Sequence, residues 1–340
     1  MGEQTATRCV FRNSFSAIIT GTGFEVPKRV MTNAELEKLV NTSDEWITER
    51  TGVKERHIAG DDQASSDLGL VAARKALADA RTDPEDVELI VVGTVTPDMP
   101  LPSTACIIQH QLGARNAAAM DVNAGCTGFI YALDVARHYI ADGTYRTVLV
   151  VGAETLSRIT DWTDRGTCIL LGDGAGAAVV KASSEPDKGV VAGHLGADGR
   201  YGEALWVPGG GSRHPPTAET VKNGLHYLKM DGKTIFRVAV LNMVRTVRRL
   251  MEKTDLGPDD VDLIIPHQAN LRIIEAVARQ LHIPMERVFV NIQKYGNTSA
   301  ATCIIALDEA RKSGRIKPGD ATILVAFGAG LTWGGVVIRW

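Results

Sequence analysis

Asp83-Pro-Glu-Asp-Val-Glu-Leu-Ile-Val-Val92 returns 174 residues later as Gly257-Pro-Asp-Asp-Val-Asp-Leu-Ile-Ile-Pro266. In both copies a polar turn containing proline runs into an unbroken stretch of Val, Leu and Ile. The same offset pairs Ala132-Leu-Asp134 with Ala306-Leu-Asp308, Arg137 with Arg311, and Leu149-Val-Val151 with Ile323-Leu-Val325. It also pairs Leu70, Ala73 and Leu77 with Val244, Val247 and Met251, which keep the three-to-four spacing of one apolar helix face. A single offset that holds across four segments without a gap marks an internal duplication.

Each copy reads the same way outward from this stretch. A helix (about 66–80, and about 234–253) precedes the apolar strand (87–92, and 261–265). A second helix (about 127–140, and about 299–312) and a second apolar strand (147–151, and 322–326) follow. Short Val- and Ile-rich strands alternating with helices predict an α/β protein with a mostly parallel sheet, covered on both faces. Two such halves about a pseudo-twofold axis predict five layers, α/β/α/β/α. The boundaries expected are an extension at 1–13 with no readable function, a first half at 14–186 and a second at 187–340. The period is too long and the copies too few for a solenoid. Chemistry belongs where equivalent loops of the halves converge, at strand ends and helix N-termini.

Composition narrows the function. With 340 residues, 44% of them hydrophobic, the chain exceeds the size at which one core usually stops growing. A net charge of −3 gives no global attraction to nucleic acid or to an anionic membrane, so neither is an expected partner. Cys9, Cys106, Cys126, Cys168 and Cys303 are odd in number and form no CxxC pair, which argues against a disulfide framework or a zinc knuckle. The histidines show no metal-ligand spacing, so no metal is expected. The start carries no signal-peptide core and no apolar run approaches membrane-spanning length. Ala6 stands where N-myristoylation needs Ser or Thr. The expected location is the cytoplasm.

Three residues stand out. Cys126, in Met120-Asp-Val-Asn-Ala-Gly-Cys-Thr-Gly-Phe129, lies at a glycine-flanked turn between an apolar segment and a helix. A helix N-terminus carries partial positive charge, which favours the thiolate; elsewhere a lone cysteine is as readily a small core residue. His267 ends an apolar strand at the place where the first copy has Gly93. Asn297, in Tyr295-Gly-Asn-Thr-Ser-Ala300, precedes a helix, where asparagine is also an ordinary cap. The duplication brings all three turns to one crevice, because Cys126 maps onto Ala300. A sulfur nucleophile with two neutral hydrogen-bond donors suits thioester chemistry.

At these residues the chain resembles the β-ketoacyl-acyl-carrier-protein synthase III family, condensing enzymes of the thiolase fold. The likeness rests on Ser43-Asp-Glu-Trp-Ile47 with Arg50-Thr-Gly52, Asp121 through Phe129, Asp164-Arg-Gly-Thr167, Gly172-Asp-Gly-Ala-Gly176, His267-Gln-Ala-Asn-Leu-Arg-Ile273, Gly296-Asn-Thr-Ser-Ala300, and Phe327 to Gly334. It runs from about Ala17 to Trp340. It implies an acyltransferase that condenses an acyl-coenzyme A primer with malonyl-acyl carrier protein, with loss of CO₂, to start fatty-acid chains. Cys126 would carry the acyl group, while His267 and Asn297 would hold the malonyl thioester carbonyl. The backbone N–H groups of Cys126 and Ala329 would form the acyl oxyanion hole.

The resemblance further implies that Trp46 and Arg165 sandwich the adenine of coenzyme A, with Thr42, Arg50 and Asn270 as further contacts. Leu101, Leu170, Leu171 and Phe327 would line the acyl pocket. Arg237, Arg272 and Arg279 would meet the acidic carrier protein. It implies a homodimer with no resident cofactor, coenzyme A and phosphopantetheine thioesters being substrates. Ala329 departs from the usual glycine, and the three leucines stand where acetyl-selective relatives have phenylalanine, which opens the primer to branched or longer chains. Two other readings stay open: a condensing enzyme of the same fold in a polyketide or other secondary pathway, and a Cys-His-Asn thioester hydrolase.

The stretch Gly172-Asp-Gly-Ala-Gly-Ala-Ala-Val-Val180 leads into a strand and is no phosphate loop. Gly209-Gly-Gly211 reads as a surface loop.

Overall fold

A computed structural model describes residues 15–340; the 1–13 extension, with Cys9, lies outside the described residues. The two quoted stretches fold alike. A 3-10 turn, Pro84–Asp86 and Pro258–Asp260, opens each, and strands Leu89–Gly93 and Leu263–Pro266 follow. Proline fits the first position of such a turn because its missing N–H would be unpaired there anyway.

In chain order the strands of the first half are β1 (Ser16–Glu25), β2 (Arg29–Thr32), β3 (Glu55–Ile58), β4 (Leu89–Gly93), β5 (Ala118–Val122), β6 (Thr147–Thr155) and β7 (Asp173–Ser183). Those of the second are β8 (Gly189–Ala197), β9 (Leu205–Trp206), β10 (Lys229–Met230), β11 (Leu263–Pro266), β12 (Ala321–Gly328) and β13 (Thr332–Arg339). The helices are α1 (Asn33–Leu36), α2 (Asp44–Thr51), α3 (Ser65–Asp79), α4 (Thr104–Leu112), α5 (Gly128–Ala141) and α6 (Arg165–Cys168). They continue as α7 (Ala218–Lys222), α8 (Gly232–Thr254), α9 (Leu271–Leu281), α10 (Ile292–Tyr295) and α11 (Thr302–Lys312).

The two larger sheets run β1-β7-β6-β4-β5 and β11-β12-β13-β8, and β2-β3 and β9-β10 form two-stranded sheets. The duplication extends to register: Leu89 faces Val148, and Leu263 faces Thr322, the same offset on both strands. Strands β4, β5 and β6 are parallel, as are β11 and β12. The pairings on the other side of each sheet, β6–β7–β1 and β12–β13–β8, are antiparallel, which corrects the expected mostly parallel sheet. Residues 329–331 alone join β12 to β13, and so short a link permits only an antiparallel hairpin.

Side-chain alternation builds the layers. Leu89 and Val91 of β4 point inward with Leu263, Ile265, Leu324 and Ala326, onto the α5 residues Ile130, Leu133 and Ala136 and the α11 residues Ile304 and Leu307. Ile90 and Val92 point outward to Leu68, Ala72 and Ala76 of α3 and Ile108 of α4. Ile264, Ile323 and Val325 meet Val244, Val247 and Leu250 of α8 and Ile274 and Val277 of α9. The order is therefore helix, sheet, paired central helices, sheet, helix. Each fully buried Leu, Ile or Val contributes roughly 1.5–3 kcal/mol to holding these layers together.

Two asymmetries break the duplication. The counterpart of β5 is reduced to a single bridge between Ile264 and Val288. The link from β6 to β7, residues 156–172, includes α6, whereas its counterpart is the hairpin at 329–331.

Candidate active site

The turns at the ends of β5, β11 and β12, together with the turn before α11, surround a cavity of about 360 Å³. Cys126, His267 and Asn297 all line it, with Ser299, Phe327 and Ala329. Apolar walls come from Leu156, Ile159, Leu170 and Leu171 of the long link and from Leu205, Leu228, Met230 and Ile235 of the second half.

Cys126 is held by backbone pressed against backbone. Gly125 has φ +58, and a Cβ there would stand 2.5 Å from the Ala329 nitrogen; a Cβ on Gly328 would stand 2.4 Å from the Cys126 nitrogen. Only glycine at both positions lets the nucleophile turn and the hairpin turn touch. The Thr127 and Thr332 hydroxyls lie 2.7 Å apart and both reach the Ala124 carbonyl, so the two turns are also tied by hydrogen bonds. Burial pushes the Cys126 thiol up to about 12, with the Glu154 charge adding to the rise and Ser299 and the residue's own N–H opposing it. This corrects the expected thiolate. Helix α5 begins two residues further on, at Gly128, and its partial charge is outweighed by desolvation.

His267 is buried, and its backbone N–H donates to the Val325 carbonyl at 2.8 Å. Burial pushes the imidazole down to about 3, so it is neutral near pH 7. Its Nδ1 lies 2.6 Å from Thr302 Oγ1, which also lies 3.1 Å from the Ser299 carbonyl. A hydroxyl carries one hydrogen. When Thr302 gives it to Nδ1, the ring proton sits on Nε2 and that edge is a donor.

Asn297 is fixed from both sides. Its N–H donates to the Leu170 carbonyl at 2.8 Å, and the Gly172 N–H donates to its carbonyl at 3.0 Å. Its Oδ1 accepts from the Ser299 N–H at 2.8 Å, which leaves the Nδ2 hydrogens for a ligand. The link carrying Leu170 and Leu171 thus also positions the amide.

The residues expected to meet coenzyme A are arranged outside the cavity, apart from Asn270, which lines it. Arg165 stacks on Trp46 with its guanidinium carbon 4.8 Å from the ring centre, and Arg50 lies 5.5 Å from the same ring. An aromatic ring between the Trp46 and Arg165 planes needs about 7 Å, two contact distances of about 3.5 Å. The expected sandwich is therefore closed here, and Arg165, which donates to the Asn41 carbonyl at 2.9 Å, has to swing to admit a base. Asn270 caps α9 by accepting from the Arg272 N–H at 2.9 Å and donates to the Arg50 carbonyl at 3.1 Å. The Thr42 hydroxyl is buried without a hydrogen-bond partner among the described residues.

Arg237, Arg272 and Arg279 are exposed on α8 and α9. Arg272 is already engaged: its guanidinium lies 3.2 Å from the Glu49 carboxylate. Leu101 corrects an expectation. It is 85% exposed and does not line the cavity, because the loop after β4 carries it over the outside of the chain; Leu170, Leu171 and Phe327 do line it.

Sequence reading missed Thr302, Ser299 and Glu154. Glu154 is the penultimate residue of β6, next to an apolar run, and is fully buried. Burial pushes its carboxyl up to about 7, against hydrogen bonds from Thr96, Val95 and Ala300 and the nearby Ser299 hydroxyl. An acidic residue near the end of an apolar strand was the readable signal, since buried carboxylates are rare without partners. No group of three or more potential metal ligands occurs among the described residues, and no described helix is long and apolar enough to cross a membrane.

Residues 120–199, which hold Cys126, match the family described as 3-Oxoacyl-[acyl-carrier-protein (ACP)] synthase III. Residues 251–340, which hold His267 and Asn297, match its C-terminal part. A beta-ketoacyl-[acyl-carrier-protein] synthase III from Caldanaerobacter subterraneus is 54% identical over 96% of this chain and 98% of its own. The crystal structure of 3-oxoacyl-[acyl-carrier-protein] synthase III from Aquifex aeolicus superposes with a TM-score of 0.88 at 48% identity, covering 95% of this chain and all of that one. A priming β-ketosynthase from the R1128 polyketide pathway superposes at 0.89, with 35% identity over 96% of each chain. The chain belongs to the 3-oxoacyl-[acyl-carrier-protein] synthase III family.

Proposed function

We propose that this condensing acyltransferase of fatty-acid biosynthesis works in two half-reactions with Cys126 as acyl carrier. Acyl-coenzyme A first transfers its acyl group to the Cys126 sulfur, and coenzyme A leaves. Malonyl-acyl carrier protein then enters, loses CO₂, and its enolate attacks the acyl-cysteine to give a 3-ketoacyl thioester. His267 Nε2 and Asn297 Nδ2 donate to the enolate oxygen. Each such donor lowers the barrier by about 2.7–4 kcal/mol. The N–H groups of Cys126 and Ala329 receive the oxyanion formed when the acyl carbon is attacked. Support comes from the nucleophile and both donors lining one cavity, with the 125–126 and 328–329 backbones in contact.

Leu170, Leu171 and Phe327 form the acyl wall. Trp46 and Arg165 open to take the adenine, beside Thr42, Arg50 and Asn270. Arg237, Arg272 and Arg279 receive the acidic carrier protein, chiefly raising the rate of encounter. No resident cofactor is needed, because both substrates arrive activated as thioesters. The two halves, 14–186 and 187–340, are the units of duplication. The chain works in the cytoplasm as a homodimer. Dimerisation is supported by the outer edge of β5, unpaired among the described residues, and by Met99 and Leu101, 43% and 85% exposed.

The test follows product and CO₂ separately. Cys126→Ala should make no 3-ketoacyl product from any acyl-coenzyme A. Asn297→Ala should take up the acyl group and release CO₂ about 10²-fold more slowly than the wild type. Full condensation by Cys126→Ala would refute the reading, and free acid without a carbon–carbon product would favour a hydrolase.

A further inference from the structure

Glu154 is a buried acid that neither half-reaction above employs. Its Oε2 accepts from Thr96 Oγ1 at 2.6 Å, from the Thr96 N–H at 3.1 Å and from Thr94 Oγ1 at 3.3 Å. The Val95 N–H lies 3.1 and 3.2 Å from its two oxygens. Oε1 also receives the Ala300 N–H at 3.5 Å, a contact that spans the two halves. Thus the carboxyl holds the loop after β4 against the turn before α11.

Ser299 adjoins both groups: it shares the cavity wall with Cys126, and the next residue, Ala300, donates to Glu154. Ser299 itself is 2% exposed. Its φ of +48 is a left-handed conformation that costs a non-glycine residue on the order of 1–3 kcal/mol. Its N–H orients Asn297, but its hydroxyl is buried and meets full hydrogen-bond geometry with nothing among the described residues. The same hydroxyl lies near enough to both the Cys126 thiol and the Glu154 carboxyl to lower the pKa of each. A strained turn therefore presents an uncommitted hydroxyl to a thiol on one side and a carboxyl on the other.

We propose that Glu154 accepts the Cys126 proton during acylation, through the Ser299 hydroxyl. This rests on the reading of Cys126 as the acylated residue. As the sulfur attacks the thioester carbon, the S–H proton passes to Ser299 Oγ and the Ser299 proton to Glu154. The new S–C bond forms, the carbon–sulfur bond to coenzyme A breaks, and the proton returns along the same path to the departing coenzyme A sulfur. The overall exchange is a thiol and a thioester for another thiol and thioester, with no other reactant.

The rival acceptor is His267. Burial holds its imidazole far below the usual range while it raises the Glu154 carboxyl, so Glu154 is the stronger base of the two. The titratable group facing Glu154 is Cys126; the loop after β4 and the 299–300 turn bring only hydroxyls and amides to it. No Lys, Arg or His forms an ion pair with it among the described residues.

The experiment is single-turnover acylation of the full chain by acyl-coenzyme A between pH 5.5 and 9, read as the acyl mass increment. The wild-type rate should rise as pH passes through about 7, where Glu154 loses its proton. Glu154→Gln should acylate about 10²-fold more slowly, the lower end of a general base's contribution, and without that inflection. Ser299→Ala should lose at least about 10-fold. Glu154→Gln acylating within about threefold of the wild type, or slowly with the inflection intact, overturns the proposal. If Glu154→Gln lacks a cooperative unfolding transition, Ser299→Ala decides: the stated loss supports the relay, and an unchanged rate overturns it. A wild type that forms no adduct on Cys126 defeats the underlying reading as well, and is thereby told apart.

Discussion

Gly93 and His267 occupy the same place in the two copies, at the end of the central strand, and so do Gly128 and Thr302, at the start of the central helix. In the first half the pair is backbone against backbone: a Cβ on Gly93 would stand 2.4 Å from the Gly128 carbonyl carbon. In the second half the same junction is an imidazole and a hydroxyl 2.6 Å apart. One frame is thus used twice with different contents. The first copy removes side chains so that the Cys126 turn can seat on the strand end; the second fills the equivalent space with a hydrogen-bonded donor. Function arises from how the copies differ, and stability from how they agree.

The comparison can be broken at its tightest point. Gly93→Ala should destabilise the chain by about 4 kcal/mol or more, since its new methyl meets main chain rather than a yielding side chain. Denaturant unfolding measures this, and a tolerated alanine would mean the first junction is looser than its geometry. Next in size, His267→Ala should slow CO₂ release from malonyl-acyl carrier protein by about 10²–10³-fold while leaving Cys126 acylation intact. Equal loss in both half-reactions would make the imidazole an acylation residue instead.

Thr302→Val should cost condensation about 10-fold, one hydrogen bond's worth of orientation, and Thr302→Ser should restore it. Failure of serine to rescue would show that packing, not the hydroxyl, matters at α11. The smallest effect is on stability. The unfolded imidazole takes a proton near pH 6.5 and the folded one only near 3, so the unfolded state binds more protons between these values. Stability is therefore full above 6.5 and falls as pH drops below it. Relative to His267→Gln, the wild type should lose on the order of 1 kcal/mol per pH unit there. Parallel acid-unfolding curves for the two proteins would contradict burial of the ring.

The repeated frame was legible because apolar alternation and turn chemistry are local. Even the 3-10 turns Pro84–Asp86 and Pro258–Asp260 and the strand register keep the offset. Cys126, His267 and Asn297 were legible as breaks in that repeat. What depends on burial was not. The helix-end argument for a Cys126 thiolate misses the desolvation that comes from enclosing the sulfur between two turns distant in sequence. Leu101 lies away from its own chain's cavity, and nothing local tells whether the loop after β4 folds over that cavity or away from it. The closed Trp46–Arg165 stack joins residues far apart along the chain. Ser299 and Thr302 are small polar residues whose importance comes only from what they face.

Peptide-resolved mass spectrometry of the chain after acyl-coenzyme A, then after malonyl-acyl carrier protein, tests the shared cavity most directly. The prediction is one acyl group on the peptide bearing Cys126, discharged by the second substrate in the wild type and retained in a His267→Ala, Asn297→Ala double variant. An acyl group on another residue, or its discharge by the double variant at the wild-type rate, would contradict a site assembled from both copies.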